Sequence, residues 1–364
     1  MSEEVPTEPS KKLDIKKLLK SVLAFKSSDL HLVVGSEPQI RIDKELRALN
    51  LPVMDAKDIE EMAYSLLEEK QKKVFEEENE LDFSFELTDI GRFRANYYRT
   101  IHGIACAFRM IPIEIPTLDD YGNPPIFKEL IKKEKGLILV TGPTGSGKST
   151  TLASMLHEIN RTERRHIITV EDPVEFVHKN DKSLFSQRDV GTNTKSFAAA
   201  LKYALRQDPD IILIGEMRDA ETISAALTAA ETGHLVFGTL HTNSAPGTIN
   251  RIIDVFVGEE QGQVRAQLAT SLIAVISQTL IPIIGSGKVA TQEILITNPA
   301  IQNQIREDKV HQIYSQMQLN QQETKMTTQT QQLLDLLSKN IISKENAIKN
   351  ANRPEEIAKA LRDL

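Results

Sequence analysis

The spacing of apolar residues predicts a helix and then an antiparallel sheet in the first third of the chain. Apolar residues recur every three to four positions, the period of one helix face, at Ile15, Leu18, Leu19, Val22 and Leu23. Strand-like segments follow at 29–34 and 39–42, then a helical stretch at 56–75, then alternating apolar and polar residues at 81–87, 92–98 and 103–110. The pattern predicts a small α+β domain with helices on one side of its sheet.

A different pattern begins after the proline-bounded segment Ile111–Pro116, where no regular element is expected to continue. Short apolar runs now alternate with helical segments, at 137–140, 166–170, 210–215, 235–240 and 289–296. Buried strands separated by helices predict a parallel α/β sheet with helices on both faces. We therefore expect a disordered tail at 1–12, an N-terminal domain at 13–112 and an α/β domain at 113–364, whose region from about 298 is helical and rich in glutamine.

Composition narrows the class of protein. The chain has 364 residues, of which 40% are hydrophobic, enough to fill two cores. Its net charge of -7 argues against nucleic acid as a partner, since nonspecific binding needs a basic surface. The single cysteine, Cys106, excludes a disulfide framework and is expected to be a small buried strand residue. No run reaches the roughly 18 apolar residues of a membrane span, and no signal peptide is recognisable, so we expect a cytoplasmic protein.

The strongest local signal follows the first buried run of the α/β region. It is Gly-x-x-x-x-Gly-Lys-Ser, which lies after an apolar strand and before a helical segment, the context that a phosphate-binding loop requires. Glycines there let successive backbone N–H groups point inward at phosphate oxygens. Lys148 is expected to contact the β- and γ-phosphates, and Ser149 to contact Mg²⁺. The predicted nucleotide-binding residues are Gly142, Pro143, Thr144, Gly145, Ser146, Gly147, Lys148, Ser149 and Thr150.

Acidic residues and a histidine follow the next three predicted strands. In chain order these are Glu171, Asp172 and Glu175, then Glu216 and Asp219, then His241. Ligands bind at the carboxyl ends of parallel strands, so these groups are expected near the phosphates. A carboxylate there can hold Mg²⁺ or deprotonate the attacking water, although an isolated one is usually the cap of the next helix. Because three strand ends converge on one site, the catalytic interpretation is favoured for the set.

The two histidines near the last of these strands require separate interpretations. If 233–241 is one strand, His234 and His241 are about 23 Å apart, so both cannot touch one γ-phosphate within a subunit. His241, at the carboxyl end, is the better phosphate sensor. His234 is either structural or part of a site across a subunit junction.

Four arginines in the N-terminal sheet also leave two interpretations open. They are Arg92, Arg94, Arg99 and Arg109, and no carboxylate lies between them. They form either a solvated sheet face or a surface that meets an anion beside the nucleotide.

Taken together, the motifs resemble those of the type II and type IV secretion and pilus ATPases, and within them the PilT-type type IV pilus retraction ATPases. The resemblance starts near residue 13 and rests on a Walker A loop (Gly142–Thr150), an aspartate box (Ile168–His178), a Walker B segment (Asp208–Asp219) and a histidine box (Thr232–Thr242). It implies a homohexamer whose subunits join a PAS-like α+β domain to a RecA-like P-loop ATPase domain. It also implies ATP and Mg²⁺ as cofactors and an inner-membrane pilus platform protein as partner, reached by peripheral contact from the cytoplasmic face of the inner membrane.

The resemblance assigns a role to each matching position. Glu175 would be the catalytic glutamate that activates water, and Glu216 would be the Walker B glutamate near Mg²⁺. His234 and His241 would be the histidine-box pair, which favours a functional role for His234 as well. Arg251 matches an arginine linked to the active site.

The resemblance also selects two of the sheet arginines. Arg94 and Arg109 match N-terminal-domain arginines that approach the phosphates when a subunit closes. Such arginines would stabilise charge on the transferring phosphoryl group and couple ATP occupancy to the domain angle.

Two features separate the subfamilies, a C-terminal segment of the retraction motors and the additional elements of the extension ATPases. Retraction motors carry Ala-Ile-Arg-Asn-Leu-Ile-Arg-Glu, whereas 300–307 here reads Ala-Ile-Gln-Asn-Gln-Ile-Arg-Glu, with Gln302 and Gln304 in place of the arginine and leucine. The single cysteine excludes the four-cysteine zinc element of extension ATPases, and we expect no longer N-terminal region like theirs. We therefore predict a retraction motor, with an accessory retraction paralogue or an extension or secretion ATPase as alternatives. The acidic charge and 5% aromatic content disfavour a nucleic-acid translocase, and the intact candidates for base, metal and sensor disfavour a scaffold without turnover.

Overall fold

The chain divides into two compact units. A computed structural model describes residues 13–42, 45–111 and 114–362, and its backbone separates into units at 1–113 and 114–364. The expected tail at 1–12 lies outside the described residues. The first unit contains, in order, α1 (Ile15–Ala24), β1 (Asp29–Leu32), β2 (Gln39–Ile42), β3 (Glu45–Ala48), α2 (Ala56–Ser65), α3 (Glu69–Glu78), β4 (Glu80–Leu87), β5 (Gly91–Thr100) and β6 (Gly103–Ile111).

The six strands of the first unit form one antiparallel sheet in the order β3-β2-β1-β6-β5-β4. Alternation places Phe93, Ala95 and Tyr97 of β5 in the core, while Arg94 is exposed on the opposite face. The three helices add their apolar faces to the same core. Cys106 is buried in β6, as expected. Strand β3 was not predicted, because it is only four residues long and all four of its side chains are exposed.

The second unit carries the phosphate-binding loop within a longer alternation of strands and helices. Its elements before the C-terminal region are α4 (Ile126–Leu130), β7 (Gly136–Thr141), α5 (Lys148–Thr162), β8 (His166–Glu171), β9 (Leu184–Asp189), α6 (Phe197–Ala204), β10 (Ile211–Ile214), α7 (Ala220–Glu231), β11 (Leu235–Leu240), α8 (Ala245–Asp254), α9 (Glu260–Ser271), β12 (Leu272–Pro282) and β13 (Lys288–Ile296). The C-terminal region contains α10 (Pro299–Arg306), a 3-10 turn (Val310–Gln312), α11 (Ile313–Met317), α12 (Gln321–Thr324), α13 (Gln329–Ser338), α14 (Lys344–Asn350) and α15 (Pro354–Ala360).

In the seven-stranded sheet of the second unit, the predicted parallel arrangement is confirmed for the strands at 137–140, 166–170, 210–215 and 235–240. The strand at 289–296 is instead antiparallel, so the sheet is mixed. The strand order is β13-β12-β7-β11-β10-β8-β9, and only β13 runs antiparallel, as a hairpin partner of β12. A short Gly-rich turn, Gly285–Gly287, joins the two strands and cannot hold the crossover that a parallel neighbour needs. Strand β9 was also missed, because its sequence, Leu-Phe-Ser-Gln-Arg-Asp, is mostly polar at the sheet edge.

Helices cover both faces of this sheet, as predicted. Helices α4 and α5 pack on one face, and α7 to α11 pack on the other. A smaller apolar cluster joins α13, α14 and α15 to β12. In the described ranges, no helix is both long enough and apolar enough to cross a membrane.

Candidate nucleotide-binding and catalytic site

The loop between β7 and α5 has the backbone conformation that a phosphate cradle needs. Gly142, Gly145 and Gly147 have φ values of 141°, 75° and 88°, in the region that favours glycine. The first turn of α5 leaves its N–H groups without helical partners, and these groups face the loop at the positive end of the helix. The Nζ of Lys148 donates hydrogen bonds to the carbonyls of Gly142 (2.8 Å) and Pro143 (3.1 Å), which holds its charge within the loop.

The residues present fit a nucleotide phosphate. The hydroxyl of Ser146 is buried, and among the described residues it has no hydrogen-bond partner. Burial lowers the pKa of Lys148, and the negative charges of Glu216 and Glu175 oppose that shift. Lys148 therefore lies close enough to both carboxylates to interact with their charges. A polyanion bound in the loop would also stabilise the protonated lysine and oppose the effect of burial.

The segment that carries Glu175 is held in place by the missed strand β9. Asp189 accepts a hydrogen bond from the backbone N–H of Val174. Gln187 donates to the carbonyl of Phe176 (2.8 Å) and accepts from the N–H of His178 (2.7 Å). Glu175 is exposed between these anchors. Sequence reasoning found Glu175 but missed Gln187 and Asp189, because edge-strand residues carry no motif of their own.

Glu171, at the end of β8, differs from Glu175 in its surroundings. It accepts a hydrogen bond from the hydroxyl of Thr169 (2.7 Å) and lines a cavity of about 30 Å³ together with Ser149 and Thr239. Burial raises the pKa of Glu171 to about 7, against the opposing hydrogen bonds from Thr169 and Gln187. Its carboxyl is thus about half protonated near pH 7, unlike an ordinary glutamate, and can both donate and accept hydrogen bonds in this cavity.

Glu216 follows β10, where two hydrogen bonds fix the backbone. Met217 donates its N–H to the carbonyl of Thr239 (3.0 Å), and the Thr239 hydroxyl donates to the carbonyl of Gly215. The Glu216 carboxylate meets Nε of Arg218 at 2.5 Å and Nε2 of His241 at 3.2 Å. Burial alone would raise the pKa of Glu216, but the hydrogen bond and charge of Arg218, with the charge of His241, lower it. A carboxylate that is ionised at neutral pH is a suitable ligand for Mg²⁺.

Asp219, in contrast, is a helix cap. Its side chain accepts a hydrogen bond from the N–H of Thr222 (2.8 Å) at the start of α7. One of the acidic residues that follow the strands therefore has the ordinary structural role, while Glu216, three residues earlier, lies beside His241.

The two histidines flank β11, with His234 immediately before the strand and His241 immediately after it. His241 is exposed at the loop end of the sheet and contacts Glu216. The Nδ1 of His234 lies 3.0 Å from the carbonyl of Ala229 and 3.4 Å from the Thr232 hydroxyl, at the other end of the strand. The structure thus brings His241, and not His234, to the loop of the same chain.

The predicted arginines lie in two different places. Arg251 is exposed in the last turn of α8, the helix that begins directly after the loop bearing His241. Arg94 and Arg109 are direct cross-strand partners on the exposed face of the first unit's sheet. Each has an acidic neighbour: Asp82 lies 3.8 Å from Arg94, and Asp29 lies 2.8 Å from Arg109. These carboxylates come from β4 and β1, which sequence spacing did not place beside the arginines, and the choice between a solvated sheet face and an anion-facing surface stays open.

The family model described as "Type II/IV secretion system protein" matches residues 4–362 of the chain. The chain belongs to this family. A relative in Pseudomonas aeruginosa, named as the type IV pilus retraction ATPase PilT, is 51% identical over 343 residues, which cover 94% of this chain and 99% of that protein. The type IV pilus ATPase PilU of the same organism is 34% identical, over 95% of this chain and 90% of that protein.

The fold of the chain is also similar to that of a solved structure. The crystal structure of the pilus retraction motor PilT with bound ADP aligns with a TM-score of 0.90 and 48% identity, over 95% of this chain and 99% of that chain. The predicted fold class, a RecA-like P-loop ATPase domain preceded by a smaller α+β domain, is confirmed, as is the resemblance to the secretion and pilus ATPases. The chain is an ATPase of this family.

Proposed function

We propose that this chain is the ATP-hydrolysing motor that powers type IV pilus retraction, the disassembly step of twitching motility. The observation that carries the proposal is a sequence identity of 51% to a retraction ATPase, over 99% of that protein's length. Identity to the PilU relative is lower, 34%, over a similar span. The intact phosphate loop and the acidic groups beside it are what such an enzyme requires.

In the proposed reaction, the loop from Gly142 to Thr150 binds the phosphates of ATP through its backbone N–H groups and Lys148. Glu175, held by the anchors from β9, accepts a proton from the attacking water. His241 contacts the γ-phosphate and reports its loss to Glu216, which it already meets at 3.2 Å. The reaction class is phosphoryl transfer to water, for which positioning and charge stabilisation supply most of the catalysis.

We assign the Mg²⁺ ligands to Ser149 and Glu216. The ionised state of Glu216 fits a hard cation, and the Ser149 hydroxyl begins the same helix as Lys148. When bound, Mg²⁺ would neutralise charge on the β- and γ-phosphates. Arg218 pairs with Glu216 and compensates its negative charge.

Residues from neighbouring subunits complete the proposed motor. Arg94 and Arg109 would reach the phosphates of a bound nucleotide when the N-terminal domain closes, and His234 and Arg251 would act at the subunit junction. This requires a ring, and we propose the homohexamer that the family resemblance implies. Its proposed partner is an inner-membrane pilus platform protein, contacted from the cytoplasmic face of the membrane, with no role for nucleic acid.

Two measurements test this function. The purified protein with Mg²⁺ and ATP should release phosphate, and Lys148→Ala should lose nucleotide binding. In cells, deletion should leave excess pili that do not retract. Cells without any pili would instead indicate an extension ATPase, and absence of phosphate release from a folded ring would overturn the proposal.

One observation favours a second candidate, an accessory retraction paralogue. Gln302 and Gln304, which replace the arginine and leucine of the retraction segment, are both half-buried in α10. Expression of the unmodified chain in a strain that lacks retraction ATPases distinguishes the two. A principal motor should restore retraction there by itself, whereas an accessory motor should do so only when another retraction ATPase is also expressed.

A further inference from the structure

Amide side chains form a connected network behind the phosphate-binding loop, on the side away from the acidic groups. Strand β12 runs parallel to β7 and extends past its end, which places Gln278 beside Gly142. Gln278 lies directly opposite Gln292 of the antiparallel strand β13. Both side chains are buried, with exposed fractions of 3% and 4%. Buried amides are retained only where their hydrogen bonds are satisfied, so the partners of these two define what the network holds.

Gln278 holds the phosphate loop at two points. Its Nε2 donates to the carbonyl of Ser146 at 2.6 Å, and its Oε1 accepts from the hydroxyl of Thr151 at 2.9 Å. These contacts lie on either side of Lys148 and Ser149. The loop is also packed tightly against Gln278, because a Cβ built on Gly147 would lie 2.8 Å from its Nε2. A change in the position of this amide therefore moves the loop directly.

A second set of contacts extends from Gln278 to the segment that opens the second unit. The Nε2 of Gln292 donates to Oε1 of Gln278 and to Oδ1 of Asn123, at 3.1 Å in each case. The Nδ2 of Asn123 in turn donates to the carbonyl of Leu118 at 3.1 Å. The chain of contacts runs from Ser146 through three amides to the turn at 118–123.

The orientation of each amide is determined by its neighbours. The carbonyls of Ser146 and Leu118 can only accept, so Gln278 and Asn123 must each present their NH₂ group to a backbone carbonyl. Both then present an oxygen toward Gln292, which must donate to both. Rotation of one amide would place two donors or two acceptors face to face in a buried site. The three side chains therefore form one cooperative unit rather than three separate contacts.

We propose that Gln278, oriented by Gln292, is a positioning residue for nucleotide binding, and that this amide relay couples the phosphate loop to the turn at 118–123. The proposal rests on the proposed ATPase function of the same loop. Phosphate bound in the loop restricts the motion of Ser146 and Thr151, and these two residues restrict Gln278. Gln278 in turn restricts the turn through its contacts with Gln292 and Asn123. The turn belongs to the first few residues of the second unit, which begins at Glu114.

The test uses the full-length protein and three methionine variants of similar side-chain length. Gln278→Met and Gln292→Met break the relay at successive points. Gln332→Met is the matched control, because Gln332 accepts from the backbone N–H of Gln292 at 2.6 Å but has no place in the relay. Phosphate release against ATP concentration separates KM from kcat, and thermal unfolding without nucleotide measures any loss of stability.

We expect KM for Mg²⁺-ATP to rise about tenfold or more in Gln278→Met and about threefold in Gln292→Met, with kcat within about threefold of wild type. The double variant should resemble Gln278→Met alone, because the two residues act in series. Gln332→Met should keep the wild-type KM. A wild-type KM in a normally stable Gln278→Met protein overturns the positioning role. If Gln278→Met does not fold, Gln292→Met and Asn123→Ala carry the same test.

Hydrogen exchange tests the coupling separately. Mg²⁺-ADP should slow amide exchange of the turn at 118–123 in the wild type and in Gln332→Met, but not in Gln292→Met. Retained slowing in Gln292→Met overturns the coupling. Failure of the proposed ATPase function is recognised independently, because the wild type itself would then release no phosphate and Lys148→Ala would change nothing.

Discussion

Nε2 of His241 lies 3.2 Å from a carboxylate oxygen of Glu216, so the residues that follow two adjacent strands are in direct contact. The contact joins the proposed metal ligand to the proposed γ-phosphate sensor. Arg218 meets the same carboxylate from another direction. Loss or gain of a phosphate next to His241 would therefore affect Glu216 without movement of the backbone, since the two side chains are in direct contact.

Replacement of Glu216 by glutamine should impair ATP hydrolysis, which needs Mg²⁺, but not nucleotide binding in the absence of Mg²⁺. The substitution keeps the shape of the side chain but removes the charge that would bind Mg²⁺, so kcat should fall about 100-fold or more. Nucleotide binding measured in EDTA should change little. The control is Glu221→Gln, an exposed glutamate in the first turn of α7. Equal activity of the Glu216 and Glu221 variants would remove Glu216 from the site.

Glutamine in place of Glu175 should stop turnover while leaving ATP bound. If Glu175 accepts the proton of water, loss of the base should lower kcat by about 10²–10⁴-fold. Affinity for ATP should stay within a few-fold, because the exposed side chain is not part of the loop. Glu134→Gln, in the exposed turn before β7, is the matched control. Turnover close to wild type would assign the base to another residue.

The sequence predicted the parts of the site that depend on local spacing. The loop from Gly142 to Ser149 has a signature that only a strand-turn-helix can satisfy, so both its fold and its ligand class followed from a few residues. Glu216 and His241 were found because the carboxyl ends of parallel strands meet at one edge. Each of these inferences needed only the order of strands and helices.

Contacts between distant strands could not be read in the same way. Gln278 and Gln292 look like ordinary polar residues, and their role depends on β13 turning back antiparallel to β12. The partner of Arg109, Asp29, lies 80 positions earlier in the chain. Periodicity reports which face of an element is buried, but it carries no information on which strand becomes its neighbour.

Alanine in place of Arg94 or Arg109 should impair turnover of the assembled protein more than its stability. The exposed ion pair of Arg94 with Asp82 contributes about 0–1 kcal/mol, so the melting temperature of Arg94→Ala should change little. Asp29 is buried but keeps Ser28 and Arg41 as neighbours, so Arg109→Ala should lower the melting temperature more than Arg94→Ala does. If the arginines meet phosphates from a closing domain, kcat should fall at least about tenfold. Arg47→Ala, another exposed, ion-paired arginine of the same sheet, should keep normal turnover. Activity that matches this control would leave Arg94 and Arg109 as surface residues.

Glu171 should make the nucleotide-free protein less stable as pH rises. Its folded-state pKa of about 7 exceeds the ordinary value of 4.5, so the folded state holds a proton that the unfolded state releases between these values. The stabilisation that this proton provides is fully present below the pKa of the unfolded state. It is lost as pH rises through the pKa of the folded state, which lowers the free energy of unfolding by up to about 3 kcal/mol. Glu171→Gln removes this loss. In EDTA, the variant and wild type should differ little near pH ~4.5 and most above pH ~7.5; an equal difference at both would exclude this titration.

Two glycines of the phosphate loop should respond differently to alanine. A Cβ on Gly142 would lie 2.1 Å from the backbone carbonyl oxygen of Gln278, whereas a Cβ on Gly145 meets nothing within 4 Å. Gly145, with φ 75°, is near the left-handed region that other residues reach at a cost of about 1 kcal/mol, whereas Gly142, with φ 141°, is farther from it. Gly142→Ala adds a clash with a strand that cannot move without breaking its pairing, and should cost on the order of 3 kcal/mol or more. Urea unfolding without nucleotide measures both. Equal losses would mean that β12 yields to the loop, and the relay through Gln278 would then lack the rigid support it requires.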